Sequence, residues 1–240
     1  MPNPTAAMLV IGDEILSGRT RDANMHFLAG QLTDMGIDLK EVRVVSDDHD
    51  AIVAAAKVLS STYDQDYTSG GIGPTHDDIT ADCIAAAFDV PIDVRDDARA
   101  LLHAHYDRSG QELNAARLRM ARIPNGAVLI DNPVSTAPGF TLQNVHVMAG
   151  VPSVFQAMVA SVLPTLTGGA PLISRSLRVM RGEGDIAGPL RTFSETFGDL
   201  SVGSYPFQKD GLYGANVVVR GTDAARLDSA MDALSEIFGS

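Results

Sequence analysis

Three acidic turns hold the residues best suited to chemistry. The most informative is TSGGIGPTHDDIT, Thr68 to Thr80, where Gly70, Gly71 and Gly73 lead into Pro74, Thr75, His76, Asp77 and Asp78. Glycines at this density let a backbone approach a ligand closely, and amides at a helix start suit a phosphate. The turn is not a Walker loop, because no Gly-Lys-Ser/Thr follows, and it lacks the last glycine of a dinucleotide fingerprint. Asp77, Asp78 and Asp82 would repel a phosphate unless a divalent cation lay between, and Mg²⁺ commonly takes one or two carboxylates plus substrate phosphate oxygens. A metal is therefore one reading. The other is structural: Thr75 and Asp78 match a capping box, and acidic residues favour a first helical turn.

Gly12-Asp13-Glu14 and the pair Asp47 and Asp48 form the second and third acidic turns. A solvated turn explains the former and an N-cap explains the latter equally well when each is taken alone. Two more loops offer hydroxyls and amides: Asn132 to Gly139, with Ser135, Thr136 and Gly139, and Gly150-Val151-Pro152-Ser153, where Pro152 can start a helix. His103 and His105 face different ways on a helix and make a poor metal pair, whereas His76 stands inside the glycine turn. Arg117, Arg119 and Arg122 read as a solvated helix face.

The elements that must position these turns alternate. A strand at Ala6 to Ile11 precedes a helix on which Met25, Leu28, Leu32 and Met35 recur, ended by Gly36. A strand from Leu39 to Val45, a helix from about Asp48 to Ser60 and a short strand into the glycine turn follow. Helices are expected at Asp78 to Phe88, Asp96 to Tyr106, Gln111 to Arg122 and Ser153 to Leu163, with strands at Ala127 to Ile130 and Val145 to Met148. This order predicts a doubly wound α/β sheet, with its ligand at the carboxyl ends of the strands, so that the three acidic turns share one edge. Thr167 to Pro171 reads as a linker between residues 1–167 and a small α+β unit over 172–240.

With 240 residues, one large and one small domain are expected. A net charge of −12 argues against a nucleic-acid or anionic membrane surface. The single cysteine, Cys83, sits among apolar neighbours and reads as buried; it excludes an internal disulfide and fits a reducing compartment. The first residues have neither the positive run of a signal peptide nor the length of a membrane span, so a cytoplasmic location is expected.

The glycine turn, GDEILSG (Gly12 to Gly18), DNPVSTAPGF (Asp131 to Phe140) and AGVPSVFQAM (Ala149 to Met158) together resemble the MoaB/Mog-like molybdopterin-binding domain. The branch they resemble most is that of competence/damage-inducible protein A and the corresponding domain of FAD synthases, over roughly residues 6 to 165. The resemblance implies a three-layer α/β/α, mostly parallel domain, often oligomeric as a trimer or dimer. It implies functional aspartates at Asp47 and Asp78. It also implies a divalent metal (Mg, Mn or Co) held by Asp13, Asp47 and Asp78, and hydrolysis of a nucleotide pyrophosphate such as ADP-ribose or FAD. A non-catalytic site for molybdopterin or a nucleotide is the alternative. Gly70, Gly71, Gly73, Pro74, Thr75, Ser135, Thr136, Gly139, Gly150, Pro152 and Ser153 are the ligand-binding residues it points to.

Overall fold

The computed structural model describes residues 2–209 and 211–239, in two compact units that divide between Gly169 and Ala170. In the first unit the order is β1 (Thr5–Ile11), α1 (Asp13–Leu16), α2 (Asn24–Asp34), β2 (Asp38–Val45), α3 (His49–Thr62) and β3 (Gln65–Ser69). Then come α4 (Thr80–Ala87), β4 (Ile92–Val94), α5 (Asp96–Ser109), α6 (Ala115–Leu118), β5 (Arg122–Pro124), β6 (Val128–Ile130), β7 (Gly139–Leu142), β8 (Val145–Met148) and α7 (Pro152–Val162).

Six strands form one sheet in the order β2-β1-β3-β8-β7-β6. The first four run parallel, whereas β7 is antiparallel to both β8 and β6. Alternation along β1 sends Ala7, Leu9 and Ile11 to one face, against Ile52 and Leu59 of α3 and Ile84 of α4. Ala6, Met8 and Val10 go to the other face, against Leu28 and Leu32 of α2 and Phe155 and Met158 of α7. The result is the three-layer α/β/α arrangement. β1 and β8 are buried on both faces, which is why β1 reads as a continuous apolar run, whereas β2, at the sheet edge, exposes Lys40 and Val44.

β3 departs from that rule. Asp66 is fully buried, and neither it, the Tyr67 hydroxyl nor Thr68 Oγ1 has a hydrogen-bond partner of normal geometry. Burial pushes the Asp66 carboxyl up to about 8, with the adjacent Tyr67 amide offsetting only part of the rise. His146, on the neighbouring β8, bonds Gln65 and Thr141 and is held down at about 4 by burial.

Several expectations need correction. α4 begins at Thr80, not Asp78, and Ile79 precedes it without any side-chain cap. The helix expected over Gln111 to Arg122 is only α6, a 3₁₀ turn (Arg119–Ala121) and then β5, which pairs with β4. Met25 is 40% exposed, while Leu28 and Leu32 carry the buried face of α2. Cys83 is buried as expected, and burial pushes its thiol up to about 12.

The second unit comprises β9 (Ile173–Val179), α8 (Glu183–Thr196), β10 (Ser201–Lys209), β11 (Leu212–Gly221) and α9 (Ala224–Phe238). Its antiparallel sheet, ordered β10-β11-β9, packs Ala215, Val217 and Val219 against Ile186 and Phe193 of α8 and Leu227 and Leu234 of α9. This core is its own. No helix among the described residues is long and apolar enough to cross a membrane.

Candidate functional site

Because β2, β1, β3 and β8 are parallel neighbours, the turns that follow them emerge on one rim. The reversal at β7 brings its start, and with it the loop from Asn132 to Pro138, to the same rim. There they enclose a cavity of about 810 Å³.

Two backbone approaches shape it. Gly70 has φ 111°, and a Cβ there would stand 2.3 Å from the Ile11 carbonyl oxygen. Gly71 has φ 70°, and its Cβ would meet Thr80 Oγ1 at 2.1 Å. Thr80 locks the turn by donating its hydroxyl to the Gly70 carbonyl at 2.9 Å and its amide to that of Gly71 at 3.0 Å. Farther along, the Thr75 amide and hydroxyl both donate to the Asp78 carboxylate, the amide at 2.8 Å. This pair closes the turn on itself and caps no helix.

The aspartates after β2 divide their roles. Asp48 accepts the Ala51 amide at 2.9 Å and is the N-cap of α3. Asp47 turns to the cavity, where it accepts the Asp13 amide at 3.0 Å. Burial raises the Asp47 carboxyl above the ordinary aspartate range; the Asp13 amide opposes this, and the charges of Asp13, Glu14 and Asp77 add to the rise.

Of the residues anticipated for the site, Asp47, Asp78, Gly70, Gly71, Gly73, Ser135, Gly150, Pro152 and Ser153 line the cavity. Asp13 reaches Asp47 through its amide, and Glu14 lines the wall instead. Pro74 and Thr75 are exposed and are not among the lining residues. The Thr136 hydroxyl meets His105 Nδ1 at 3.0 Å, away from the lining. Gly139 is a packing position, where a Cβ would press 2.4 Å from the Val147 carbonyl oxygen. His76 is turned into solvent, its side chain 98% exposed.

Four residues outside that set organise the rim. Asn132, 3% exposed, donates to Ser135 Oγ and the Ala137 carbonyl and accepts the amides of Val134 and Ser135, holding that loop in one shape. Its position before Pro133 is a turn signal that could have found it. Asn24 bonds Ser69 and the Gly150 carbonyl. Arg119 donates to the Asp78 carbonyl at 3.3 Å, and Arg122 pairs with Asp82, so neither belongs to a solvated helix face.

Four carboxylates, Glu14, Asp47, Asp77 and Asp78, line the cavity, and no Lys or Arg among the described residues does. An anionic ligand there requires a cation, and all-oxygen donors suit a hard divalent ion. No group of three or more His, Cys, Asp or Glu among the described residues is assembled to hold a metal. The donor set therefore fits an ion taking one or two carboxylates and completing its shell with ligand phosphate oxygens and water.

Residues 7–168 match the family described as "Probable molybdopterin binding domain", and residues 171–240 match "FAD synthase, middle domain". A "Probable FAD synthase" of Caenorhabditis elegans is 30% identical over 98% of this chain and 50% of its own length. A "CinA-like protein" of Myxococcus xanthus is 35% identical over 74% of this chain and 44% of its own length. The chain thus spans half or less of these two curated relatives. The crystal structure of the protein CinA, of unknown function, from Thermoplasma acidophilum is similar with a TM-score of 0.62 at 34% identity, covering 68% of this chain and 97% of that one.

Proposed function

The chain belongs to the molybdopterin-binding domain family, with relatives among CinA-like proteins and FAD synthases, and from that premise we propose that it is a metal-dependent hydrolase of a nucleotide pyrophosphate of the ADP-ribose or FAD type. The observation that carries this reading is the cavity of about 810 Å³ with four carboxylates and, among the described residues, no Lys or Arg at its wall. Such a space accepts a nucleotide, and its charge demands a metal with the phosphates.

A divalent ion held by Asp47 and Asp78 would neutralise the phosphates and lower the pKa of a bound water. The protein's own part is positional. The glycine turn and the start of α7 line the cavity that the phosphates would enter, and Asn132 holds Ser135 in the same lining. Asp47, one of the two carboxylates that would hold the ion, orients the attacking water, whose proton is released to solvent. The water oxygen bonds to one phosphorus, the bridging P–O bond breaks, and the bridging oxygen leaves with the other phosphate. Two phosphomonoesters result.

The absence of a three-carboxylate cluster among the described residues favours a second reading, a binding module for molybdopterin or a nucleotide without turnover. Incubation with ADP-ribose and FAD, with and without Mg²⁺, Mn²⁺ or Co²⁺, separates the two: mononucleotide products support the hydrolase, and calorimetric binding without product supports the carrier. Assembly as a homo-oligomer, trimer or dimer, belongs to the same proposal and is read by light scattering; a monomer at all concentrations would contradict it.

A further inference from the structure

Ile72 and Ile79 pack against the apolar core shared by α3 and α4 and so anchor the two ends of the arm that follows the glycine turn. Between them, residues 73–78 carry Asp77 and Asp78. Their hydrogen bonds run mostly among themselves: the Thr75 amide and hydroxyl donate to the Asp78 carboxylate, and the Asp78 amide donates to the Thr75 carbonyl at 3.3 Å. Among the described residues, one hydrogen bond reaches this arm from another element. Arg119, in the 3₁₀ turn before β5, donates from Nη2 to the Asp78 carbonyl at 3.3 Å.

That 3₁₀ turn is itself fixed, since Ala121 is buried and its carbonyl accepts the Arg95 amide at 2.9 Å. The Asp78 carboxylate lies against Gly73, where a Cβ would stand 2.6 Å from Oδ2. The carboxylate is therefore placed by its own turn, and the turn is tied down by Arg119. Arg119 Nε is sealed from solvent and donates to no group among the described residues, a cost that an apolar side chain of similar length would not carry. Packing alone would favour methionine here. What the guanidinium adds is the charge-assisted bond to the Asp78 carbonyl.

We propose that Arg119 is a positioning residue for the cation site: through the Asp78 carbonyl it holds the arm that carries the Asp78 carboxylate at the cavity wall, so that an arriving divalent ion meets a preset ligand. The inference rests on the reading of Asp78 as a holder of the ion. Groups that orient a metal ligand without touching the metal change metal affinity by about 10–100-fold when removed.

The test is Mn²⁺ titration in the presence of α,β-methylene ADP-ribose, whose bridging carbon resists cleavage, with free Mn²⁺ followed by electron paramagnetic resonance. The unmodified chain, Arg119→Met, Asp78→Asn and the double variant are compared, and folding is checked by melting. Arg119→Met should weaken Mn²⁺ binding about tenfold and should add less than about twofold on the Asp78→Asn background. Unchanged affinity in Arg119→Met, or an equal loss on both backgrounds, overturns the positioning role and leaves the ion site standing. Unchanged affinity in Asp78→Asn, or no Mn²⁺ bound by the unmodified chain, overturns the ion reading at Asp78 and the positioning role together. Should Arg119→Met not fold, Arg119→Gln is read by the same criteria; failure of both to fold makes Arg119 a residue of the fold alone and overturns the proposal.

Discussion

Asp47 and Asp48 are chain neighbours with separable roles, and two substitutions distinguish them. Asp48 holds a helix end, so Asp48→Ala should lower stability by about 1 kcal/mol, read by denaturant unfolding, while turnover stays within twofold. Asp47→Asn keeps the size and removes a carboxylate that would hold the ion; turnover should fall by about 10²-fold or more with melting little changed. Asp66 is one residue through which pH acts on stability. Its carboxyl keeps a proton up to about 8 in the folded chain, whereas the unfolded chain releases it near the ordinary aspartate value. The unfolded state therefore binds fewer protons between these limits, and stability falls as pH rises, by up to about 1.4 kcal/mol per unit. Above the folded value the loss is complete. Asp66→Asn removes this slope and raises stability at pH 8; unfolding of both chains between pH 5 and 9 checks it, and parallel curves would contradict it.

At the scale of elements, the glycine turn is the most constrained part of the rim. Gly70→Ala drives a Cβ toward the Ile11 carbonyl at a positive φ and should cost more than about 2 kcal/mol. Gly30 in α2 has nothing within 4 Å of its would-be Cβ, and Gly30→Ala should stabilise by about 0.5–1 kcal/mol. A melting comparison of the two checks the claim. The rim itself was legible in the sequence, because strands alternating with helices force parallel neighbours and bring the turns after Ile11, Val45 and Ser69 together. The cap at Asp48 and the burial of Leu28 and Leu32 were legible for the same local reasons. The start of α4 was not: Thr75 and Asp78 satisfy a capping pattern, yet their bond closes the turn and leaves the helix to begin at Thr80. Arg122 was hidden by its helix-forming neighbours, since only pairing with β4 draws it into a strand. Arg119 reaching Asp78 and Asn24 reaching Gly150 are long-range contacts that no local pattern carries.

On the scale of the whole molecule, two units with separate cores imply separate stabilities. The cavity is built wholly from residues of the first unit. A chain ended at Gly169 should therefore keep its metal-dependent ligand binding within about threefold, measured by calorimetry; loss of binding from a folded fragment would give the second unit a part in the site. The net charge of −12 and the four carboxylates that line the cavity bear on the same proposal, in which phosphate enters with a cation. The central claim is thus most directly tested by following ADP-ribose and FAD chromatographically with the purified chain, with and without Mg²⁺, Mn²⁺ or Co²⁺, beside Asp47→Asn and Asp78→Asn. Mononucleotides released only with metal, and lost in both variants, are the result predicted. Intact substrates in every tube, with the chain folded and the nucleotide still bound, would contradict the hydrolase and leave a carrier.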